Sequence, residues 1–409
     1  MHYFDFHYSW EQRKLGDVVK EITRNDPESE APIMMITANN GFIEQSERYA
    51  FNNAGESLKK YILLKKGELA YNHGASKLRP YGSCFALTTA ENARIPFVYH
   101  CFSAENQNAE FMSIELNGAE IENQLRKIVS SGARMDGLLN ISFDEYTSVL
   151  VLLPGTEEQD RIAEFFRQLD NLITLHQRKY DKLTNVKKSM LEKMFPQNGS
   201  NAPEIRFKGF TEAWEQRKFS DLVQIERGGS PRPIDDFITD SPDGLNWVKI
   251  GDAPAQGNYI TKTAEKIKPE GLSKTREVHP GDLILSNSMS FGKPYIMGID
   301  GCIHDGWLLI RNTYKVFDLT FLCHLLGTPQ MIIQYKSLAA GSTVNNLNKE
   351  LVGNTVVTIP TIKEQRVLGQ YLETLDNLIT LHQRKPVVVN SSSTMNALPN
   401  QHLYFQVLE

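Results

Sequence analysis

The chain has 409 residues, of which 41% are hydrophobic and 23% are charged, and its formal net charge is -5 at pH 7. This length suits about two to three domains, and the acidic balance argues against a uniformly basic nucleic-acid binder, although net charge can hide a local positive face. No apolar run approaches the roughly 18 to 20 residues that cross a bilayer, which excludes a membrane-spanning protein. The first residues lack the basic start and apolar stretch of a secretory signal, so we expect a cytoplasmic protein.

Two segments of the sequence occur twice. WEQRK at Trp10–Lys14 recurs at Trp214–Lys218, and LDNLITLHQRK at Leu169–Lys179 recurs letter for letter at Leu375–Lys385. An identity of this length indicates a duplication, so the chain is predicted to be two half-molecules in tandem. The edges of the two halves agree and their middles share only loose echoes, which suggests two modules that perform one task on different targets.

Short apolar runs separated by turn residues predict several strands in each half. The clearest runs are Tyr61–Leu64, Ser148–Leu153, Asp282–Leu285 and Thr355–Ile359. Each half then ends in a helix, so the predicted fold class is α+β, with a mixed sheet and helices in each module and pseudo-twofold symmetry between them.

The two helices are predicted over Glu157–Phe195 and Glu364–Lys385. Apolar residues in the first follow alternating steps of three and four, which is typical of a helix-pair seam, here between antiparallel coiled-coil helices. The predicted seam residues are Ile162, Phe166, Leu169, Ile173 and His176 in the first helix, and Leu368, Leu372, Leu375, Ile379 and His382 in the second. The two histidines could sense pH, but a polar register marker is the simpler interpretation. The first helix has an expected length of about 58 Å at about 1.5 Å per residue, or about 17 base pairs of DNA.

The sequence contains no phosphate-binding GxxxxGK loop, no GxGxxG, and no Asn/Asp-Pro-Pro-aromatic tetrapeptide of the adenine methyltransferase type. The four cysteines form no CxxC pair, and neither His100-Cys101 nor Cys302-Ile303-His304 has a second pair at metal-ligand spacing. We therefore expect buried core thiols, no metal, no cofactor and no catalytic residues.

The chain resembles the specificity subunit of type I restriction-modification enzymes over almost its whole length. The resemblance rests on LDNLITLHQRK, the opening at Ser9–Lys14 and Ala213–Lys218, the GGSP segment Gly228–Pro231, and the proline-xxx-EQ helix entries Pro154–Gln159 and Pro360–Gln365.

This resemblance implies two target recognition domains, each reading one half of a bipartite asymmetric site in double-stranded DNA, with two conserved helices that set the spacer. Such a subunit has no chemistry of its own. It docks modification subunits, two in that family, which methylate adenine using S-adenosylmethionine, and the complex can recruit restriction subunits. The alternative is a non-catalytic protein-interaction scaffold that has lost DNA reading.

The predicted boundaries follow from the repeats. They are a first target recognition domain at 1–155, a first spacer helix at 156–196, a second target recognition domain at 197–361, a second helix at 362–385, and an atypical tail at 386–409 that is expected to be disordered. Pro386 replaces the continuation that the first copy has, and proline should end the second helix there.

Polar loops that follow matched strands are the predicted DNA-contacting segments, because base edges are read by hydrogen-bonding side chains and phosphates by cations. The predicted residues are Asn72, His73, Ser76, Lys77, Arg79 and Arg134 in the first half, and Arg227, Ser230, Arg232, Asn287, Ser288, Ser290, Lys293, Ser342, Thr343, Asn345 and Asn346 in the second. The alternative for each residue is an ordinary surface turn.

Overall fold

The computed structural model describes residues 10–38, 41–47, 55–129, 138–197, 199–287, 292–340 and 347–383. The chain divides into two compact units, Met1–Ile173 and Thr174–Glu409. This division falls inside one long helix, which the predicted boundaries treat as a separate segment.

Among its described residues, the first unit contains four small antiparallel sheets and three short α-helices before the long one. Its strands are β1 (Glu11–Lys14), β2 (Val19–Glu21), β3 (Met34–Thr37), β4 (Gly41–Glu44), β5 (Ile62–Lys65), β6 (Leu69–Asn72), β7 (Ser83–Ala86), β8 (Asn92–Ile95), β9 (His100–Ala104) and β10 (Leu150–Leu153). Its helices are α1 (Ala109–Leu116), α2 (Ala119–Ile128) and α3 (Phe143–Tyr146), followed by α4 (Thr156–Lys193), which continues into the second unit.

The second unit has the same kinds of element. Its strands are β11 (Glu215–Lys218), β12 (Gln224–Arg227), β13 (Leu245–Val248), β14 (Tyr259–Ile260), β15 (Glu265–Ile267), β16 (Arg276–Val278), β17 (Leu283–Ser286), β18 (Pro294–Met297), β19 (Gly301–Ile303), β20 (Trp307–Arg311) and β21 (Val356–Ile359). Its helices are α5 (Leu319–Leu326), α6 (Pro329–Ala340), α7 (Lys349–Gly353) and α8 (Ile362–Gln383). The pairs β13–β19 and β14–β18 are parallel, so its sheets are mixed, as predicted.

The central sheets of the two units have the same strand order. The order is β2-β9-β6-β7 in the first unit and β12-β20-β17-β18 in the second, where β14 adds a fifth strand. In both units the third and fourth of these strands form an antiparallel hairpin. The duplication therefore extends through the divergent middles, where the sequences share only loose echoes.

The two units also share a helix N-cap at equivalent positions. Asn108 begins α1 by accepting a hydrogen bond from the Phe111 amide, and Asp318 begins α5 by accepting one from the Phe321 amide. Side-chain oxygens of this kind satisfy amides that have no partner within the helix. These caps fix the start of equivalent helices in the two units.

The predicted strands are confirmed, as are both long helices to within about two residues of each end. Helix α8 and the Thr174–Lys193 part of α4 pack antiparallel inside the second unit, since His382 lies beside His176 and Asp376 lies beside Lys187. Leu368, Leu372 and Leu375 are buried there in the same core as Met194 and Phe195. This shared core explains why the unit boundary divides α4.

All four cysteines are free thiols in buried positions, which confirms them as core residues. Burial raises the pKa of Cys84 and of Cys323 to about 12. Within the described ranges no helix is long and apolar enough to cross a membrane. The predicted tail, 386–409, lies outside the described residues.

Candidate nucleic-acid interface

The repeated sequence motifs contact one another within each unit. The WEQRK segment forms β1, which pairs antiparallel with β10, and its second copy forms β11, which pairs with β21 in the equivalent register. The indole Nε1 of Trp10 donates to Glu158 over 3.2 Å, and Nε1 of Trp214 donates to Glu364 over 3.3 Å. The opening of each unit is therefore hydrogen-bonded to the first turn of its long helix.

The glutamine that follows each of these glutamates joins the helix start to a second element. Gln159 Nε2 donates to the Pro154 carbonyl oxygen, and its Oε1 accepts from the Asn108 amide at 3.0 Å. Gln365 makes the same pair of contacts, to the Pro360 carbonyl and from the Asp318 amide at 2.9 Å. Both glutamines are buried. The repeated motifs thus build a frame in each unit, and the loops at the opposite end of the central sheets differ between the units.

Two of the predicted DNA-contacting residues, His73 and Asn287, join loops at this opposite end of the central sheets. His73 directly follows β6 and Asn287 directly follows β17. The carbonyl oxygen of His73 accepts from the Leu139 amide at 2.9 Å, and that of Asn287 accepts from the Leu347 amide at 3.1 Å. Their polar side chains are therefore placed at equivalent points of two related units.

The side chains of these two residues contact the loop before the next sheet strand. His73 Nε2 lies 2.7 Å from the Val98 carbonyl oxygen, and Asn287 Nδ2 donates to the Asp305 carbonyl oxygen over 2.8 Å. Each contacted carbonyl lies two residues before a strand, β9 or β20. The His73 imidazole and the Asn287 amide thus make equivalent contacts in the two units. We name this contact the loop latch.

In the first unit, the hairpin loop 73–82 between β6 and β7 is held by its own polar groups. Asn72 Nδ2 donates to the Ile36 carbonyl, and its Oδ1 accepts from the Gly74 amide. Ser76 Oγ accepts from the Arg79 amide, and Arg79 Nη1 donates to the Asn117 carbonyl over 2.8 Å. These contacts occupy polar groups on three predicted DNA-contacting residues and leave the tip at Lys77 exposed.

In the second unit, three predicted residues meet at Asp305. Ser230 Oγ donates to the Asp305 carboxylate over 3.1 Å, and Arg227 Nε and Asn287 Nδ2 both donate to its carbonyl oxygen. A Cβ atom on Gly228 would lie 2.2 Å from the His304 carbonyl oxygen, so the GGSP segment packs directly on this loop. The segment carries glycine because its backbone passes too close for a side chain.

The other predicted residues are scattered or lie outside the description. Arg232 is exposed, and Lys293 Nζ lies 4.9 Å from the centroid of the Tyr295 ring. The predicted residues outside the described part of the chain are Arg134, Ser288, Ser290, Ser342, Thr343, Asn345 and Asn346. Sequence reasoning missed Asp305, Val98 and Leu139, because backbone acceptors and the partner of a glycine-rich turn carry no sequence signal.

In the first unit, two lysines lie on or beside these loops. Lys77 is exposed, and Lys60 Nζ lies 6.0 Å from the centroid of the Phe97 ring. Burial lowers the pKa of His100, whose Nε2 lies 3.0 Å from the Ile141 carbonyl oxygen. No group of His, Cys, Asp or Glu side chains in the described ranges could hold a metal ion.

The predicted helix seam is covered in one copy and exposed in the other. Leu372, Leu375 and Ile379 are 0%, 7% and 6% exposed, whereas their equivalents Phe166, Leu169 and Ile173 are 36%, 37% and 60% exposed. This differs from the buried seam predicted for the first copy. Apolar residues of α4 beyond the first repeat, among them Leu183, Val186 and Met190, pack in the same core as the second-copy seam. The sequence after the second repeat differs, since it continues with Pro386. Ile162 packs at the edge of the first unit's core.

A buried polar group fixes the register of the covered pair. Lys187 Nζ donates to the Asp376 carboxylate, which also accepts from Asn258 Nδ2 at 2.8 Å. His324 Nε2 lies 3.6 Å from the same carboxylate. Burial and the neighbouring Lys187 lower the pKa of His324 to about 4. The histidine is therefore neutral at pH 7 and leaves the lysine as the cationic partner of Asp376.

Comparison with known proteins gives one family. Residues 211–391 match the model of the type I restriction modification DNA specificity domain. The chain is 22% identical over 269 residues to the type I restriction enzyme MjaVIII specificity subunit of Methanocaldococcus jannaschii, an alignment that covers 63% of this chain and 62% of that protein. The chain thus spans less than two thirds of the length of this curated relative.

Solved structures share the fold over nearly the whole chain. The S subunit of a type I restriction-modification system from M. genitalium superposes with a TM-score of 0.54 at 11% identity and covers 93% of both chains. A chain from a structure of complex assembly and conformational transition in a type I restriction-modification system superposes with a TM-score of 0.53 at 16% identity, with 92% of each covered.

The duplicated frame and the shared fold define a protein of two related units. The part of the chain from residue 211 to residue 391 is therefore similar to a type I restriction modification DNA specificity domain, and the whole chain shares its fold with the solved structures named above.

Proposed function

We propose that the chain is the DNA-sequence-recognition subunit of a type I restriction-modification complex and acts in the cytoplasm. Each unit reads one half of a bipartite asymmetric site in double-stranded DNA. The chain itself is non-catalytic, and methyl transfer belongs to modification subunits that dock on it. In the full complex, restriction subunits join the assembly.

The observation that carries this proposal is the division of each unit into a repeated frame and a variable end. The contacts of Trp10 with Glu158 recur at Trp214 and Glu364, and the loop latch recurs at His73 and Asn287. Between these fixed points the exposed loop content differs. A frame that holds different loops in the same place suits two readers of different base sequences.

The exposed seam on α4 supports the docking part of the proposal. Phe166, Leu169, Leu172 and Ile173 form a contiguous apolar stripe, and monomeric proteins rarely expose large apolar patches without a partner. The repeat supports a helical partner, since the equivalent face of α8 is covered by helical residues. We therefore propose a helix of a modification subunit as its partner.

Two assays on the purified chain test the proposal. Fluorescence anisotropy with a duplex that contains the site should show affinity that falls steeply with salt, because phosphate neutralisation releases counterions. Methyl transfer from S-adenosylmethionine to the same duplex should require an added modification subunit.

The opposite results would indicate a different function for this chain. Binding that is independent of salt and sequence, together with intact capture of the modification subunit, indicates a scaffold that has lost DNA reading. Methylation by the purified chain alone refutes a non-catalytic subunit. A duplex of scrambled sequence and equal length is the control for non-specific binding.

A further inference from the structure

The first unit places an exposed apolar side chain at the tip of the hairpin loop between β6 and β7. Leu78 is 66% exposed and follows Lys77 within the hairpin loop 73–82. Outside α4 and β10, Leu78 and Phe97 are the large hydrophobic residues of this unit that are exposed in the described ranges. Both belong to the loops that the His73 latch joins.

The loop holds Leu78 outward without help from a ligand. The amide of Ser76 donates to the Arg79 carbonyl, and the amide of Arg79 donates back to Ser76 Oγ, both over 3.0 Å. Tyr71 Oη donates to the Tyr81 carbonyl over 2.6 Å at the other end of the loop. Because the backbone is already ordered, binding loses little conformational entropy at this tip.

The polar residues of the loop are occupied within the protein, whereas its tip offers one cation and one apolar group. Lys77 suits a phosphate, which fixes position without reading sequence. An apolar side chain cannot read a donor or an acceptor. Among base edges in the major groove, the apolar feature is the 5-methyl group of thymine.

We propose that Leu78 is a specificity-determining residue that contacts the 5-methyl group of a thymine in the half-site read by the first unit. The inference rests on the proposed function and adds to it an apolar contact at a stated atom of the base. Lys77 positions the tip on the backbone beside that base.

The test removes each partner of the contact separately. Each thymine of the site is replaced in turn by deoxyuridine, which lacks only the methyl group, and dissociation constants are measured by anisotropy for the wild-type chain and for Leu78→Ala. At one thymine the uracil substitution should weaken wild-type binding about fourfold, the equivalent of about 0.8 kcal/mol per buried carbon. Leu78→Ala should bind the thymine duplex about fourfold more weakly and be insensitive to uracil at that position.

Lys77→Ala is the matched control at the same tip. It should weaken binding to all duplexes equally, reduce the salt dependence by about one counterion, and keep the uracil effect. Thermal unfolding of Leu78→Ala should match that of the wild type, since the side chain is exposed.

Three results overturn the inference. They are a first half-site without thymine, no uracil effect at any thymine in the wild-type chain, and an unchanged uracil effect in Leu78→Ala. A complete lack of sequence-specific binding by the wild-type chain instead refutes the proposed function, so the two failures are distinguishable.

Discussion

Removal of Glu364 should destabilise the second unit far more than removal of its equivalent, Glu158, destabilises the first. The Glu364 side chain is only 3% exposed and accepts two hydrogen bonds from Arg206, each over 2.7 Å, as well as one from Trp214. Glu158 is half-buried and accepts from Trp10. The position equivalent to Arg206 lies outside the described ranges.

These contacts set the expected magnitudes. Glu364→Ala leaves a largely buried guanidinium without its carboxylate, which costs about 3 to 5 kcal/mol. Glu158→Ala removes one partly exposed hydrogen bond, which costs about 1 kcal/mol. Hydrogen exchange followed by mass spectrometry separates the units, because strands β11 and β21 report on the second and strands β1 and β10 on the first.

Exchange in β11 and β21 of Glu364→Ala should accelerate by at least about a hundredfold, whereas exchange in β1 and β10 of Glu158→Ala should accelerate about fivefold. Equal acceleration in the two units, or less than about tenfold for Glu364→Ala, would refute the assignment of Arg206 as the source of the difference.

Three further changes have defined outcomes. The folded state holds the pKa of His324 at about 4, while the unfolded value is about 6.5. The free energy of unfolding should therefore be fully retained above pH 6.5 and fall by up to about 3 kcal/mol towards pH 4. Urea unfolding of His324→Gln at pH 7 and 4.5 should lack this loss. Gly82→Ala should lower the melting temperature of the first unit much more than Gly67→Ala, since both glycines have a positive φ but only at Gly82 would the new Cβ lie 2.6 Å from a backbone oxygen. Phe166→Ser with Ile173→Ser should leave stability unchanged and weaken capture of a modification subunit in a pull-down; a loss of folding instead would contradict an exposed stripe.

Much of the fold could be predicted from the sequence. Period and spacing predicted both long helices and the strands β5, β10, β17 and β21, because apolar periodicity is a local signal. The mutual contact of the repeated motifs could not be predicted, since the Trp214 to Glu364 hydrogen bond joins residues far apart in sequence. A tertiary contact of this kind leaves no trace in either local pattern.

The polar loops were predicted from the sequence, but the contacts that their residues make were not. Asn72, His73 and Asn287 are polar residues at the ends of strands. In the structure, their side chains contact backbone carbonyl oxygens of the protein. Leu78 is not among the residues predicted from the sequence, because an apolar residue gives no sign of a DNA contact until its exposure is known. Burial therefore decides which loop residues are free to bind.

The most direct test of two readers on one chain is a genome-wide map of methylated adenine in cells that carry this chain with a modification subunit. We expect a single bipartite motif that disappears when the chain is deleted. A Lys77→Ala, Leu78→Ala double variant should relax one half of the motif and preserve the other. Methylation that persists without the chain, or a double variant that alters both halves alike, would contradict this expectation.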